Sequence, residues 1–260
     1  MQLVGLEVGD GMSYDGALTA LTAALSGRGS VGTIRDSAGA VVVEHGPTTV
    51  RHEGDPSSSL TATAIDQLAD TGIEYAIVDA SLASEIETVG VGVEHDDGHL
   101  ETLEADRLDD TARLEAVADS IDSLEPHETL GSLVARITEH PDSPRAGALA
   151  TFTGRVRAEN LADTRTTHLE YEKYQGVADA ELDAIRAELT DRDGVYEVLM
   201  HHHTGVVPAE EDAVHVVVLA GHRREAFRAV EDGIDLLKER VPIFKKEVTE
   251  TGEHWAHDRP

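Results

Sequence analysis

Residues 214–255 read VHVVVLAGHRREAFRAVEDGIDLLKERVPIFKKEVTETGEHW. The first seven, Val214–Ala220, are apolar except for His215 and rich in β-branched side chains, which predicts a buried strand. Gly221 breaks the run. From about Arg224 to Arg240 apolar residues recur at Phe227, Val230, Ile234, Leu237 and Val241, in steps of three and four that place them on one face of a helix. Pro242 stops that helix, because its ring removes a donor and clashes with the preceding turn.

Working outward, the residues before this stretch mix strands and helices with short links. A helix over Leu130, Val134 and Ile137 ends at the Pro141–Pro144 segment. Residues 147–157 (GALATFTGRVR) alternate, with Ala148, Ala150 and Phe152 on one face and Leu149, Thr151 and Thr153 on the other. A strand over 168–174, a helix over 177–190 with Leu182, Ile185 and Leu189 inward, a strand over 195–203 and a turn at Thr204-Gly205 follow. Residues 123–260 therefore read as an α+β domain with a mainly antiparallel sheet.

Residues 1–122 read differently. A short strand (2–8) leads to the turn Gly9-Asp10-Gly11 and a helix carrying Leu18, Leu21 and Leu25, ended by Gly27 and Gly29. A strand at 31–35, a hairpin over 40–44 and 47–51, a helix over 61–70 and a strand at 75–79 follow. Strand, glycine turn, helix, strand is the opening of an α/β nucleotide-binding unit. It resembles the P-loop family that includes the guanine-dinucleotide adaptor of molybdenum-cofactor synthesis (MobB-like), through that opening and the Val31–Arg35 segment. The phosphate-binding lysine is missing: counted from Gly9, the Gly-Lys-Thr positions hold Tyr14, Asp15 and Gly16; counted from Gly11, they hold Gly16, Ala17 and Leu18. The domain is thus expected to be a degenerate P-loop-like scaffold. Residues 95–127 are acidic and partly helical, with Leu108, Leu114, Val117 and Ile121 at helical spacing, and a boundary is placed at 122/123.

The 260 residues carry a formal charge of −30. Residues 1–127 hold 5 Arg against 25 Asp and Glu; residues 128–260 hold 16 Lys and Arg against 26. Acid spread so evenly suits a solvated surface working in high salt, and it argues against nucleic-acid binding. There is no apolar run long enough for a membrane helix. The first residues lack a basic leader, so a cytoplasmic protein is expected. With no cysteine, thiolate nucleophiles and zinc–cysteine sites are excluded, and the chain cannot carry sulfur as a persulfide.

Four lysines stand out in this background: Lys173, Lys238, Lys245 and Lys246. Unlike arginine, lysine can give up its proton and act as base or nucleophile. Lys238 lies at the edge of the core stripe, near the helix end, where a cation also serves as a cap. A turn at Pro242 would return Lys245 toward it. Gly221-His222-Arg223 opens a helix and offers free backbone N–H groups to an anion. Arg155 and Arg157, two residues apart, are placed on one strand face. His201 and His203 face one way and His202 the other, with His215 as the nearest further imidazole; no metal site is expected.

In order and spacing, Gly147–Arg157, Leu169-Glu170-Tyr171, Gly221-His222-Arg223 with Ala226-Phe227, Leu237-Lys238, Pro242–Glu247 and Gly252–Trp255 resemble the MoaE family, the large catalytic subunit of molybdopterin synthase, over about residues 124–257. The resemblance implies conversion of cyclic pyranopterin monophosphate to molybdopterin. The sulfur is delivered by the C-terminal Gly-Gly thiocarboxylate of a small ubiquitin-like subunit. It implies Lys238 and Lys245 as catalytic residues and Arg155, Val156, Arg157, His222, Arg223, Lys245, Lys246 and Glu247 as substrate-binding residues, with no cofactor. It also implies a homodimer of large subunits within a heterotetramer. The rival reading is a docking or conjugation scaffold for a ubiquitin-like protein, which has no need of phosphate-binding arginines.

Overall fold

The computed structural model describes residues 1–9, 13–37, 39–53, 58–82, 86–91, 93, 99–103, 108–159 and 165–256. The chain divides into two compact units, Met1–Ser132 and Leu133–Pro260. The division falls after the 122/123 position expected from composition because the connecting segment is tied back into the first unit. His127 donates its backbone N–H to Met1 (2.9 Å) and its ring meets Asp66 (2.9 Å), while Thr129 Oγ1 donates to Asp70.

The first unit is a three-layer α/β sandwich. Its strands are β1 (Gln2–Val8), β2 (Val31–Asp36), β3 (Ala40–His45), β4 (Thr48–Glu53), β5 (Tyr75–Asp79), β6 (Thr88–Val91) and β7 (His99–Leu103), in the order β4-β3-β2-β5-β1-β6-β7. The strands from β2 to β7 in that order pair in parallel, and β3 and β4 add an antiparallel hairpin. Helices α1 (Tyr14–Ser26) and α3 (Thr111–Asp122) cover one face, packing Leu21, Leu25, Val117 and Ile121 on Val4, Leu6 and Ile77. Helix α2 (Ser58–Ala69) covers the other with Ala64, Ile65 and Leu68 on Ile34, Val41 and Val78. Two faces buried at once explain the continuous apolar runs of β3 and β5, whereas the edge strand β4 is largely exposed. The acidic segment after residue 95 holds β7 as well as a helix, which its charge had hidden; residues 94–98 and 104–107, like part of the Gly9–Gly11 turn, lie outside the described residues.

The division falls within α4 (Leu130–Thr138), whose Leu133 and Ile137 are buried. The second unit holds two sheets. The first is β10 (Val195–His202), β12 (Asp212–Ala220) and β8 (Ala148–Arg155), antiparallel in that order. The second is β11 (Gly205–Pro208), β9 (Thr166–Lys173), β13 (Ile243–Thr249) and β14 (Gly252–Ala256), also antiparallel. Central β12 is buried from Ala213 to Ala220. Helices α5 (Gln175–Thr190) and α6 (Arg223–Arg240) pack on the first sheet through Ile185, Leu189, Ala226, Val230, Ile234 and Leu237. The expected stripe errs at Phe227, which is 65% exposed. The buried face is instead built from Ala226, Ala229 and Gly233, small residues that let the helix approach the sheet closely. A Cβ at Gly233 would stand 3.2 Å from Val216 Cγ1.

Candidate functional site

Three pieces of the second unit carry the charged residues singled out above. The first is the β12–α6 junction. Gly221 donates its N–H to Gly194 (2.8 Å), and Gly147 donates to Ala220 (3.1 Å), so the turn is pinned from both sides. His222 is the N-cap in extended conformation (φ −141°, ψ 159°), with its side chain making no capping bond. Both His222 and Arg223 are exposed, at the end of an 18-residue helix whose first N–H groups point to solvent.

The second piece is the foot of the same helix. Lys238 lies in its last turn, beside buried Leu237, and is exposed. Val241 closes the helix through its N–H to Leu237 (3.0 Å), and Arg240 is clamped by Glu181 and Glu188 (both 2.9 Å). Ile243 then packs against both cores of the unit, so β13 begins at this foot.

The third piece is the β9–β13 pair, whose register sorts the expected residues by face. Ile243 stands opposite Lys173, Lys245 opposite Tyr171 and Glu247 opposite Leu169. Side chains of directly opposed residues share a face, and so do residues two apart. This face is the inner one, because Tyr171, Val207, Val156 and Ala213 form a buried cluster with Leu169 and Ile243 against it. Lys245 and Glu247 thus look inward. Glu247 accepts from Thr166 Oγ1 and meets His254 Nε2 at 3.3 Å. Lys246 belongs to the opposite face, where Glu253 (2.8 Å) and Glu170 (3.1 Å) hold it. Those two carboxylates raise its pKa, and Lys246 in turn lowers that of Glu170. Lys246 is a neutralised structural cation, whereas its neighbour in sequence faces the core side.

The arginines divide too. Arg155 ends β8 and is spoken for: its Nε donates to Asp212 (3.0 Å) and its terminal nitrogen to the Glu210 carbonyl. Val156 is 2% exposed and exchanges backbone bonds with Glu210 (2.8 Å) and Glu211 (2.9 Å). Arg157 is exposed and lies beyond the strand, so the two-residue alternation expected to align it with Arg155 does not reach it.

Three histidines meet around buried His215: His203 lies 4.7 Å from His201 and 5.7 Å from His215, centroid to centroid. Thr153 Oγ1 and His215 Nδ1 share a hydrogen bond (3.2 Å). Burial, helped at His201 by His203 and Lys173, pushes the pKa of His201 and His215 below the ordinary value. His202, on the other face, stacks edge-on against Tyr171 at 4.7 Å and is fixed by its Nδ1 to the His203 carbonyl (2.8 Å). Among the described residues no three His, Asp or Glu side chains are arranged to hold a metal.

Sequence reasoning did not find β13 or β14, nor Lys173 and Tyr171 as neighbours of Lys245. The local signal that was present is the turn at Glu250-Thr251 with Gly252 after it, which closes the β13–β14 hairpin.

In this α+β domain Lys238 lies at the foot of α6 and Lys245 on the inner face of β13, while His222 and Arg223 stand at the other end of the same helix, about 22 Å along its axis from Lys238. A family model described as MoaE protein matches residues 126–240. A probable molybdopterin synthase of Haloferax volcanii is 60% identical over 151 residues, 58% of this chain and 58% of that protein. The molybdopterin synthase catalytic subunit of Pyrococcus abyssi is 42% identical over 113 residues, 44% of this chain and 76% of the relative. A crystal structure of molybdopterin synthase from Staphylococcus aureus is 34% identical and covers 52% of this chain and 94% of its own, with a TM-score of 0.45. The chain belongs to the MoaE family, that of the molybdopterin synthase catalytic subunits. It spans just over half the length of the Haloferax relative.

Proposed function

We propose that the second unit catalyses sulfur transfer from the C-terminal thiocarboxylate of a small ubiquitin-like subunit to cyclic pyranopterin monophosphate, giving molybdopterin. Family membership carries this reading, together with the placement of three of the four lysines around the α6–β13 turn. Arg157, His222 and Arg223 hold the substrate phosphate, with the first N–H groups of α6. His222 and Arg223 open α6 and Lys238 lies in its last turn, about 22 Å along the axis. The helix N-terminus that serves the lysines of one large subunit is therefore that of the other in the dimer. Lys238 and Lys245 move protons and stabilise the oxyanion formed when the thiocarboxylate carbonyl is attacked. For each sulfur delivered, a C–S bond of the tail breaks, an oxygen from water replaces it, and the tail leaves as a carboxylate. Glu247 orients the inner face from beside Lys245. Arg155, Val156 and Lys246 support the site from their fixed positions: Arg155 and Val156 brace the 155–157 turn against Glu210 and Glu211, and Lys246 locks β13 to β9 and β14. The working assembly is a dimer of large subunits with one small subunit on each.

Residues 1–122 are read as a MobB-like, degenerate P-loop-like scaffold that binds no nucleotide. Where a phosphate-binding lysine is needed, Asp15 stands in the first turn of α1, paired with Arg35 (3.5 Å), which also bonds Glu44. Clear nucleotide affinity of the whole chain in concentrated salt would overturn that part.

The test of the enzyme is molybdopterin formation in concentrated KCl from the pterin monophosphate and a thiocarboxylated small subunit. Wild type is expected to form product; Lys238→Ala is expected to lose a hundredfold or more, with an unchanged melting temperature because this lysine is exposed. No product from wild type, with the small subunit still bound, favours the docking scaffold.

A further inference from the structure

We propose that Arg145 is a further substrate-binding residue, donating to a phosphate oxygen of cyclic pyranopterin monophosphate at the start of α6. The inference rests on the sulfur-transfer reading for the identity of the anion, and it names a residue that reading does not use.

Placement is the first ground. Arg145 ends a single 3-10 turn, Ser143–Arg145, just before β8. Two residues on, Gly147 donates its N–H to Ala220 (3.1 Å) and lies against the Gly221 carbonyl. Two residues span at most about 7 Å, so Arg145 stands beside the turn that presents His222 and Arg223. The Arg145 guanidinium lies over the ring of Tyr196 in β10, 5.7 Å from its carbon to the ring centroid, a cation–π seat. The far end of the same tyrosine reaches the turn: a Cβ on Gly221 would stand 3.1 Å from the Tyr196 hydroxyl oxygen. One side chain thus links the guanidinium to the residue before the helix.

The second ground is the state of the guanidinium. An arginine presents several N–H donors in a fixed fork. Arg155 commits its donors to Asp212 and the Glu210 carbonyl, Arg186 to both oxygens of Glu197 (2.9 and 2.8 Å), and Arg240 to Glu181 and Glu188. Arg145 meets a single oxygen, of Asp142 in its own turn (3.0 Å), and its side chain is 72% exposed. The tyrosine ring steadies the guanidinium without taking a hydrogen-bond donor from it. His222 and Arg223 have no carboxylate partner among the described residues. In a chain of charge −30, two arginines, a histidine and the open N–H groups of a long helix therefore gather at one turn with little acid against them. That combination suits a phosphate, whose oxygens take charge-assisted bonds from several directions.

The experiment measures KM separately for cyclic pyranopterin monophosphate and for the thiocarboxylated small subunit, in concentrated KCl, where screening confines charge effects to direct contacts. Arg145→Met is expected to raise KM for the pterin roughly fivefold or more, as loss of a charge-assisted bond does. Its kcat and its KM for the small subunit should stay within about twofold, with an unchanged melting temperature because the side chain is exposed. Arg145→Lys should fall between wild type and Arg145→Met. Mixed dimers of Arg145→Met and Lys238→Ala chains add a second readout. The start of α6 serves the other subunit, so such a dimer holds one site with both changes and one with neither, and it should regain the wild-type KM. A pterin KM moved less than threefold by Arg145→Met, or an effect confined to kcat or to the small subunit, overturns the proposal. A mixed dimer that keeps the raised KM shows Arg145 acting beside its own lysines, away from the start of α6, and overturns it as well. If wild type forms no product, the sulfur-transfer reading fails. Arg145 is then judged by calorimetric titration of wild type and Arg145→Met with inorganic phosphate in the same salt: a Kd raised threefold or more supports it, and any smaller change rejects it.

Discussion

Lys245 and Lys246 are adjacent in sequence and opposite in circumstance. One stands on the inner face of β13 across from Tyr171; the other is neutralised outside by Glu170 and Glu253. Lys245→Met is therefore expected to lower kcat by roughly a hundredfold or more, and Lys246→Met to lower it far less while lowering the melting temperature. Equal losses would show that facing does not separate them. His215 makes a second residue-scale prediction. Its folded pKa lies below the unfolded value near 6.5, chiefly through burial. The unfolded chain then binds the proton first as pH falls, so stability is full above that value and is lost as pH drops through and below it. Melting curves between about pH 5 and 8 should show that acid limb, and His215→Phe should flatten it; an unaltered limb would place the titration elsewhere. The sequence showed which residues were chemically unusual, since four lysines among 51 acids are conspicuous. It did not show their facing, because the inner face of β13 carries Lys245 and Glu247, and charge on both faces erases the apolar–polar alternation that betrays a strand.

At the scale of elements, β12 and α6 were legible because one is a continuous apolar run and the other has a clean helical period. The exception, Phe227, follows from close packing. Ala226, Ala229 and Gly233 bring α6 so near the sheet that no aromatic ring fits on that side, and the ring is turned outward. A comparable closeness governs the turn that presents His222 and Arg223. A Cβ on Gly147 would lie 2.5 Å from the carbonyl oxygen of Gly221, a backbone atom that cannot swing aside. Gly147→Ala should therefore cost roughly 1–3 kcal/mol of stability and raise KM for the pterin by displacing the start of α6. Thermal melts and initial-rate kinetics together check this; a destabilised variant with wild-type KM would separate the turn from the site.

For the whole molecule, the charge pattern and the division into two units belong together. Acid is least compensated in the first unit, which has few basic residues, and there Arg28 alone is surrounded by Glu115, Asp119 and Asp122. Self-repulsion on such a surface is relieved by screening ions. The melting temperature is expected to rise by several degrees between about 0.2 M and about 2 M KCl, where the screening length shortens to a few ångströms. A melting temperature independent of salt would remove the case for salt adaptation. Composition revealed this surface at once. The tethers of the segment after residue 122, His127 to Met1 and Asp66, and Thr129 to Asp70, join residues far apart in the chain and leave no local trace.

The alternation of β13 also makes its alignment a chemical variable. A strand has a period of two, so sliding β13 by one position along β9 would turn Lys246 inward and send Lys245 among the outer carboxylates. Charge, composition and hydrogen-bond count would barely change, yet the reactive amine would be a different one, one carbon skeleton along. The short link Val241-Pro242, which fixes where the strand begins after α6, therefore acts as an index mark, and a single residue inserted there would reassign the lysines without altering either of them.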